Sequence, residues 1–260
     1  MYVIGIDIGT TGTKSMLIDD TGVILKTSYR SYGLIKSGEN IVEQKAKDWW
    51  DSLVETVREC TENVNDRHNI LALSISSQGG SLVSVDEKGN PLSNVIVWMD
   101  KRGIDQRNDL LNLHPDKFYY EKTGWKLSSG GGLIQIKLLK QNDLNLFERT
   151  YKFLSTIDFI NFKLTGRYAI DHTNAAMTHL MDINKGAWDE ELLGAAGIYE
   201  KKLSEVIETG IPVGQLTANA AKELGLTTSV KVISGGHDQY CAAIGAGAAE
   251  DGELFLSAAW

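Results

Sequence analysis

Apolar and polar positions near the start of the chain fall into short runs separated by turn-forming segments. Residues 2–8 (YVIGIDI) are mostly apolar and suit a β-strand; the chain then turns through GTTGTK, resumes with SMLID, turns again at DDTG and continues as VILKTSYRSY. Runs of this length, bounded by Gly, Thr and Asp, are typical of strands joined by tight turns. The pattern predicts a three-stranded meander whose first turn is rich in glycine and threonine.

The next segment has the period of a helix. In residues 44–64 (QKAKDWWDSLVETVRECTENV) the apolar side chains recur at helical spacing, which predicts an amphipathic helix packed on the sheet. The segments ILALSISS, SLVSVD and NVIVW then predict three further strands, with EKGNP as the turn before the last of them.

From about residue 101 to about residue 190 the chain is rich in helical patterns. RGIDQRNDLLNL, LIQIKLLKQN and STIDFINFKLTG each show a period of 3.6, which predicts a helical insertion. Two more predicted helices, ELLGAAG and TANAAKELGL, precede a strand, VKVISGG, that leads into HDQYCAAIGAGA, a helix of small residues. The closing GELFLSAAW predicts a strand cut off at its end, so we expect these 260 residues to be one part of a longer protein.

Charge and composition exclude several classes of partner. The chain has 26 Lys and Arg against 34 Asp and Glu, a net charge of -8, and therefore no basic surface for nucleic acid or an anionic membrane. Cys60 and Cys241 are far apart, the five histidines lack ligand spacing, and the first residues do not form a signal peptide. These features predict a reduced, cytoplasmic protein without a zinc site.

The first chemically informative motif is DIGTTGTK, residues 7–14. A carboxylate at the end of a strand, followed by two glycines and three threonines, offers backbone N–H groups and hydroxyls to a polyphosphate, with Asp7 within reach of an associated Mg²⁺. The spacing of a Walker loop is absent, and a strand is predicted to follow instead of a helix. The alternative is an ordinary Gly-Thr hairpin turn.

The second motif is SGGHDQ, residues 234–239, at the predicted strand-to-helix junction. A carboxylate there can approach a substrate hydroxyl and accept its proton during phosphoryl transfer, which makes Asp238 the candidate general base. The alternative is an N-cap that satisfies free N–H groups of the helix.

Two loops between these motifs also follow predicted strands. SSQGGS and VWMDKRG place Gln78, Gly79, Asp100 and Arg102 where ligands bind in open α/β sheets, so these residues are candidate contacts to a polyhydroxylated substrate. For Asp100 and Arg102 the alternative is a surface ion pair.

Together these segments resemble the FGGY family of carbohydrate kinases, which includes glycerol, xylulose, ribulose and gluconate kinases. The resemblance follows the family's order across nearly the whole chain: DIGTTGTK, SSQGG, VWMDKR, FLSTIDFINFKLTGRYAIDHTNAA and GGHDQYCAAIGAG. It implies an α/β, ribonuclease-H-like fold of the actin and hexokinase type, with a mixed sheet and a cleft for sugar and ATP. Residues 1–260 would then be the N-terminal substrate-binding domain, without the C-terminal domain that supplies the adenosine pocket.

By motif match, the resemblance implies ATP-dependent phosphorylation of a sugar or polyol hydroxyl. Asp7 would organise Mg²⁺, Asp238 would be the catalytic base and Gln239 would touch the substrate. The nucleotide phosphates would be bound by the residues of the first motif: Gly9, Thr10, Thr11, Gly12 and Lys14. A homodimer is compatible with this prediction.

Departures from the family's glycerol kinases bear on specificity. Those enzymes resemble this chain but carry Arg and Glu after the Gln of the SSQGGS loop and a Tyr after the later Thr-Gly, where this chain has Gly79, Gly80 and Gly130. Glycine at these three positions removes three polar side chains that would bind glycerol, and it leaves additional volume. The sequence therefore predicts that glycerol binds poorly and that a longer substrate, such as a ketopentose, can enter. Trp125 is either an apolar wall against the sugar or a packed core residue.

A second class of function, a non-catalytic actin-like or sugar-sensing module, keeps the same fold. A sensing repressor needs an added DNA-binding helix pair, and a filament subunit has no use for Asp238 beside Gln239 in a sugar cleft. The sequence favours the kinase, and we expect the isolated 260-residue piece to be inactive.

Overall fold

A six-stranded mixed sheet and a layer of helices organise the structure, a computed structural model that describes residues 1–257. The strands are β1 (Tyr2–Ile8), β2 (Gly12–Asp19), β3 (Ile24–Ser31), β4 (Ile35–Ser37), β5 (Ile41–Gln44), β6 (Ile70–Ser77), β7 (Val83–Val85), β8 (Val95–Ile96), β9 (Lys152–Leu154), β10 (Ala169–Asp171), β11 (Met181–Asp182), β12 (Ala187–Trp188), β13 (Glu205–Ile207), β14 (Pro212–Gln215) and β15 (Lys231–His237). The α-helices are α1 (Ala46–Thr61), α2 (Ile104–Leu113), α3 (Asp116–Thr123), α4 (Gly132–Asn142), α5 (Leu144–Arg149), α6 (Thr156–Thr165), α7 (His172–Met177), α8 (Glu190–Ala196), α9 (Ala218–Leu224) and α10 (Asp238–Gly245).

The main sheet has the strand order β14-β15-β6-β1-β2-β3. Strands β1, β6 and β15 are parallel, and the remaining pairs are antiparallel. The register places Asp7 opposite Ser76, and Ser77 opposite His237. Because the carboxyl ends of parallel strands meet at one edge, the loops after β1, β6 and β15 converge there. The meander predicted from the sequence is confirmed as β1, β2 and β3.

Helix α1 covers one face of this sheet, as its apolar period predicts. Trp49, Leu53 and Val57 are fully buried on the helix. Polar pairs also join α1 to β2: the Ser52 hydroxyl donates to Thr13 Oγ1 at 2.9 Å, and a second hydroxyl pair joins Ser15 to Thr56. Buried hydroxyls cost free energy unless they are paired, so these bonds fix the position of the helix.

Helix α6 connects the main sheet to the helical part of the chain. Its N-terminus carries a capping box between Ser155 and Asp158, and its side chains are buried on most sides. Phe159 packs edge-on against Trp49, with ring centroids 6.4 Å apart. Both halves therefore share one continuous hydrophobic core.

The predicted helices over 102–113, 133–142 and 155–166 correspond to α2, α4 and α6. The pattern did not separate the short α3, α5 and α7 or the two-stranded ladders among them. The predicted strand GELFLSAAW is wrong for residues 253–257, which are exposed and pair with no strand of the described chain; residues 258–260 lie outside the described residues. Within the described chain, every helix is too short or too polar to cross a membrane.

Candidate active site

The turn between β1 and β2 is held rigidly from its carbonyl side. The Gly9 N–H donates to the Gly12 carbonyl at 3.0 Å, which closes the turn. Tyr32 binds two further carbonyls: its hydroxyl donates to Gly9 O at 2.6 Å, and its N–H donates to Thr11 O at 3.0 Å. A Cβ on Gly12 would collide with the Tyr29 hydroxyl, so only glycine fits this position.

The amide side of the same turn has no partner. The Thr10 carbonyl accepts a bond of 2.7 Å from the Gln44 side chain, but the N–H groups of Thr10 and Thr11 meet no acceptor within residues 1–257. Free backbone amides beside threonine hydroxyls form a site for an anion such as a phosphate. Lys14, on the adjoining end of β2, is exposed and adds positive charge. The turn from Gly9 to Gly12, named the phosphate turn below, therefore offers donors to an anion, and its binding of a nucleotide phosphate stays a prediction.

Asp7 is the penultimate residue of β1, shortly before this turn. Its Oδ1 accepts a hydrogen bond of 2.9 Å from the Ser76 hydroxyl on the neighbouring strand. Burial raises the pKa of Asp7, with a further upward contribution from the nearby Asp238 carboxylate, while Ser76 and Lys14 act in the opposite direction. Two carboxylates close enough to influence each other favour a cation between them.

Asp238 is the first residue of α10, directly after the end of β15. Its side chain is about one-third exposed and accepts no backbone hydrogen bond in the described chain, so it does not act as the N-cap that the sequence left open. His237 precedes it, and Nε2 of that imidazole lies 3.3 Å from Asp238 Oδ1. The carboxylate is therefore reachable by a substrate hydroxyl.

The junction that carries Asp238 is fixed by α7. Asp171 caps that helix and accepts hydrogen bonds from the N–H groups of Thr173 and Asn174 and from the Thr173 hydroxyl. Thr173 Oγ1 in turn accepts the N–H of His237 at 2.8 Å. The segment AIDHTNAA, which the sequence singled out only by resemblance, thus positions the backbone one residue before Asp238.

A cavity of about 380 Å³ opens between the phosphate turn and Asp238. Its lining brings together five of the predicted site residues: Thr10, Gln78, Gly79, Asp238 and Gln239. The other residues that line it are Gly80, Trp98, Trp125, Lys126, Ser128, Gly130, Gly131, Met177, His179 and His237. Trp125 is one of them, which supports its interpretation as a wall of the ligand site.

Gln78 connects the cavity to the phosphate turn through its own amide. Its Oε1 accepts the Thr10 hydroxyl at 3.0 Å, and its Nε2 donates to Gln44 Oε1 at 3.1 Å. The side chain is almost completely buried. Gln78 therefore already has partners within the protein, and it supports Thr10 at the floor of the cavity.

Asp100 and Arg102 do not line the cavity. Asp100 Oδ2 accepts the Val42 N–H at 2.9 Å, and its Oδ1 accepts the Arg102 N–H at 2.9 Å. The Arg102 guanidinium pairs with Asp100 and with Glu43, at 2.9 and 2.8 Å. The structure thus shows the ion pair that was the alternative to a substrate contact.

The glycines that were expected to open volume are instead packed. A Cβ on Gly79 would lie 2.6 Å from Cδ2 of His237, and one on Gly80 would lie 3.0 Å from Cβ of Trp98. A Cβ on Gly130 would collide with the Trp98 carbonyl. The expectation of extra room at these positions is wrong, because the His237 imidazole and the backbone and Cβ of Trp98 fill the space.

Among the cavity residues that the sequence analysis did not select, three carry a ring nitrogen: Trp98, His179 and His237. Trp98 lies in VWMDKRG beside the residues chosen there, and it is 46% exposed. His237 adjoins Asp238, a proximity that could have drawn attention to it. His179 is buried, adopts a left-handed backbone with φ 59°, and has a pKa lowered to about 4 by burial, so it is neutral at pH 7. Its spacing to other histidines gave no indication of this place.

A glycine- and threonine-rich turn and a reachable carboxylate on opposite sides of one cavity, at the carboxyl edge of a mixed sheet, are what we expect of an α/β domain of the actin and hexokinase type. Residues 2–245 match the model of the FGGY family of carbohydrate kinases, N-terminal domain. The chain belongs to this family, and the predicted fold is confirmed.

Curated relatives include a xylulose kinase of Bacillus subtilis, 30% identical over 257 residues, and a gluconokinase of the same organism, 26% identical over 259 residues. The alignments cover 98% of this chain but 51% and 50% of those proteins, so the chain spans about half the length of the curated relatives it matches. A ligand-bound xylulose kinase structure and a gluconate kinase structure, both from Lactobacillus acidophilus, each align with a TM-score of 0.90 and 29% identity. Each alignment covers 95% of this chain and 50% of the other.

Proposed function

We propose that the whole protein transfers the terminal phosphoryl group of ATP to a hydroxyl of a sugar or polyol, with Asp238 as general base. The observation that carries this proposal is the position of Asp238 and Thr10 on the walls of one cavity. The amides of Thr10 and Thr11 face no internal acceptor within residues 1–257, so they are available to phosphate oxygens. The adenosine pocket belongs to the second domain that the family resemblance implies.

In the proposed reaction, a substrate hydroxyl lies against Asp238. Its oxygen bonds to the terminal phosphorus as the bond between that phosphorus and ADP breaks, and ADP leaves with the electron pair. The hydroxyl proton passes to the Asp238 carboxylate. The N–H groups of Thr10 and Thr11, in a turn held by Tyr32, stabilise the charge on the phosphate oxygens, and the exposed Lys14 adds positive charge.

The residues near the phosphate turn fit a magnesium ion. Mg²⁺ in kinase sites is usually held by one or two carboxylates together with phosphate oxygens and water. Asp7 supplies one carboxylate, with Oδ1 bound to Ser76, and Asp238 lies near it. No cluster of three or more metal-ligating side chains occurs in the described part of the chain. When bound, the ion would neutralise phosphate charge.

For the substrate, we propose a ketopentose or a similar sugar in preference to glycerol. Trp98 and Trp125 line the cavity with broad apolar faces, which suit the carbon skeleton of a sugar, and Gln239 offers a polar contact at its edge. Relatives named as xylulose kinase and gluconokinase support the same choice.

The test compares the whole protein with its Asp238→Asn variant, using Asp20→Asn as a matched control on an exposed turn. The amide cannot accept the proton, so we expect turnover to fall by roughly a hundredfold to ten-thousandfold. Binding of the sugar, measured by calorimetry, should remain. Undiminished turnover in Asp238→Asn would remove the general base from the proposal. Sugar binding by wild-type protein without any turnover would favour the sensing module instead.

A further inference from the structure

The imidazole of His237 is nine-tenths buried yet lines the cavity directly beside the proposed base. Its Nε2 lies 3.3 Å from Asp238 Oδ1, and its Nδ1 has no hydrogen-bond partner within residues 1–257. A neutral imidazole carries one proton, and that proton belongs on the nitrogen that has an acceptor within reach. This places the N–H on Nε2, the nitrogen that lies near the carboxylate.

Several neighbours hold the ring in this place. Its backbone N–H is bound by Thr173 Oγ1 at 2.8 Å, which fixes the Cα position. The rings of Trp125 and Tyr240 meet the imidazole edge-on, with centroids 6.2 and 5.9 Å away. On the remaining side lies Gly79, where any Cβ would lie 2.6 Å from the ring. The absence of a side chain at Gly79 is therefore what admits the imidazole.

We propose that His237 is a positioning residue for Asp238: its Nε2–H donates to Oδ1 of the carboxylate and so leaves Oδ2 to receive the proton of the substrate hydroxyl. This inference rests on the proposed role of Asp238. Without the imidazole, a side chain that is one-third exposed would sample several rotamers, and few of them would face the substrate. Burial lowers the pKa of His237, and the nearby Asp238 and Asp171 carboxylates act in the opposite direction.

The experiment measures kcat and KM of the whole protein with MgATP and whichever of D-xylulose, D-ribulose or D-gluconate it turns over best. His237→Phe keeps the ring shape but loses the donor, whereas His237→Gln places an amide N–H near the former Nε2. A hydrogen bond to a charged group is worth enough to change a rate by roughly tenfold to a hundredfold. We expect His237→Phe to lose that much in kcat with KM changed less than about threefold, and His237→Gln to recover most of the loss.

Gly79→Ala tests the position of the imidazole independently, because its added methyl group would push the His237 ring out of its place. It should lower kcat in the wild-type background and add little in the His237→Phe background, where the donor is already lost. A wild-type kcat for His237→Phe, or equal losses for the Phe and Gln variants, would overturn the positioning role.

Asp238→Asn, assayed in parallel, separates the two ideas. If Asp238→Asn is inactive while both His237 variants turn over normally, the base stands and the positioning residue does not. If Asp238→Asn keeps wild-type turnover, or if the wild-type protein turns over none of the three sugars, both proposals fail.

Discussion

The indole of Trp98 and the hydroxyl of Thr10 are hydrogen-bonded across the candidate site, with Nε1 3.1 Å from Oγ1. The Thr10 hydroxyl in turn donates a hydrogen bond to Gln78 Oε1 at 3.0 Å, so the three side chains are linked by two consecutive hydrogen bonds. Thr10 belongs to the phosphate turn, whereas Trp98 is a wall of the cavity. A hydrogen bond therefore joins the proposed sugar cavity to the proposed phosphate turn. We expect a change at Trp98 to alter the binding of ATP as well as the binding of the sugar.

Trp98→Phe tests this link because it keeps an aromatic wall and removes the donor. A neutral hydrogen bond contributes about 1 kcal/mol, so we expect KM for both sugar and ATP to rise by roughly two- to tenfold in the whole protein. Trp125→Phe is the control, since Trp125 lines the cavity without a bond to the turn. An effect of Trp98→Phe on sugar KM alone would contradict the coupling.

Gly12 tests the rigidity of the turn itself. In Gly12→Ala the added methyl would overlap the Tyr29 hydroxyl and lie 2.6 Å from the Arg30 carbonyl, and a backbone atom cannot move aside cheaply. Overpacking of this kind costs about 1–3 kcal/mol, which urea denaturation of residues 1–260 would measure.

Gly33→Ala is the matched control for Gly12→Ala. Its Cβ meets no atom within 4 Å, and its backbone φ is not in the left-handed region, so its free energy of unfolding should stay within about 0.5 kcal/mol of the wild type. Equal stability of the two variants would show that the turn tolerates a side chain.

The sequence predicted those parts of the site that depend on one strand and the loop after it. DIGTTGTK and SGGHDQ each combine a strand end, glycines and a carboxylate, so Asp7, Thr10 and Asp238 could be chosen locally. That the loops after β1 and β6 meet follows from register, which pairs Asp7 with Ser76. Trp98 follows β8, a strand of a different sheet, so its contact with Thr10, 88 positions away, depends on long-range packing that the local pattern does not contain.

The volume that we predicted at the glycines is absent for a related reason. At Gly79 and Gly130 the sequence indicates a missing side chain, but it cannot say what occupies the vacated space. His237 and the Trp98 carbonyl come from distant segments and fill it. Asp100 and Arg102 were chosen for their place after a strand, and the local Asp-x-Arg spacing in fact closes an ion pair within the loop.

Asp158 should make the stability of the domain depend on pH. It is fully buried, and burial raises its pKa to about 6, against hydrogen bonds from Ser204 and Ser155 that act in the opposite direction. The unfolded carboxyl has its ordinary pKa near 4, so between about pH 4 and pH 6 the folded state binds more protons than the unfolded state. The contribution of Asp158 to the free energy of unfolding therefore falls as the pH rises through this window.

Asp158→Asn removes this titration and keeps a group that can bond to both serines. We expect the free energy of unfolding of the variant, relative to wild type, to increase between pH 4 and pH 7 by an amount on the order of 1–3 kcal/mol. Urea denaturation at a series of pH values gives the difference directly. A constant difference across the window would mean that Asp158 titrates alike in both states.

The last prediction concerns the preference of the whole protein for a pentose over glycerol. Because Gly79, Gly80 and Gly130 are packed against His237 and Trp98, rejection of glycerol cannot come from extra volume at those positions. It should come from the size of the 380 Å³ cavity, whose two indoles a three-carbon triol would leave partly uncovered. A ketopentose has two more carbons than glycerol, and each uncovered methylene is worth about 1–3 kcal/mol, so kcat/KM for xylulose or ribulose should exceed that for glycerol by roughly a hundredfold in the whole protein. Trp125→Ala should narrow this ratio by lowering the pentose value alone, and a wild-type protein that prefers glycerol would refute the argument.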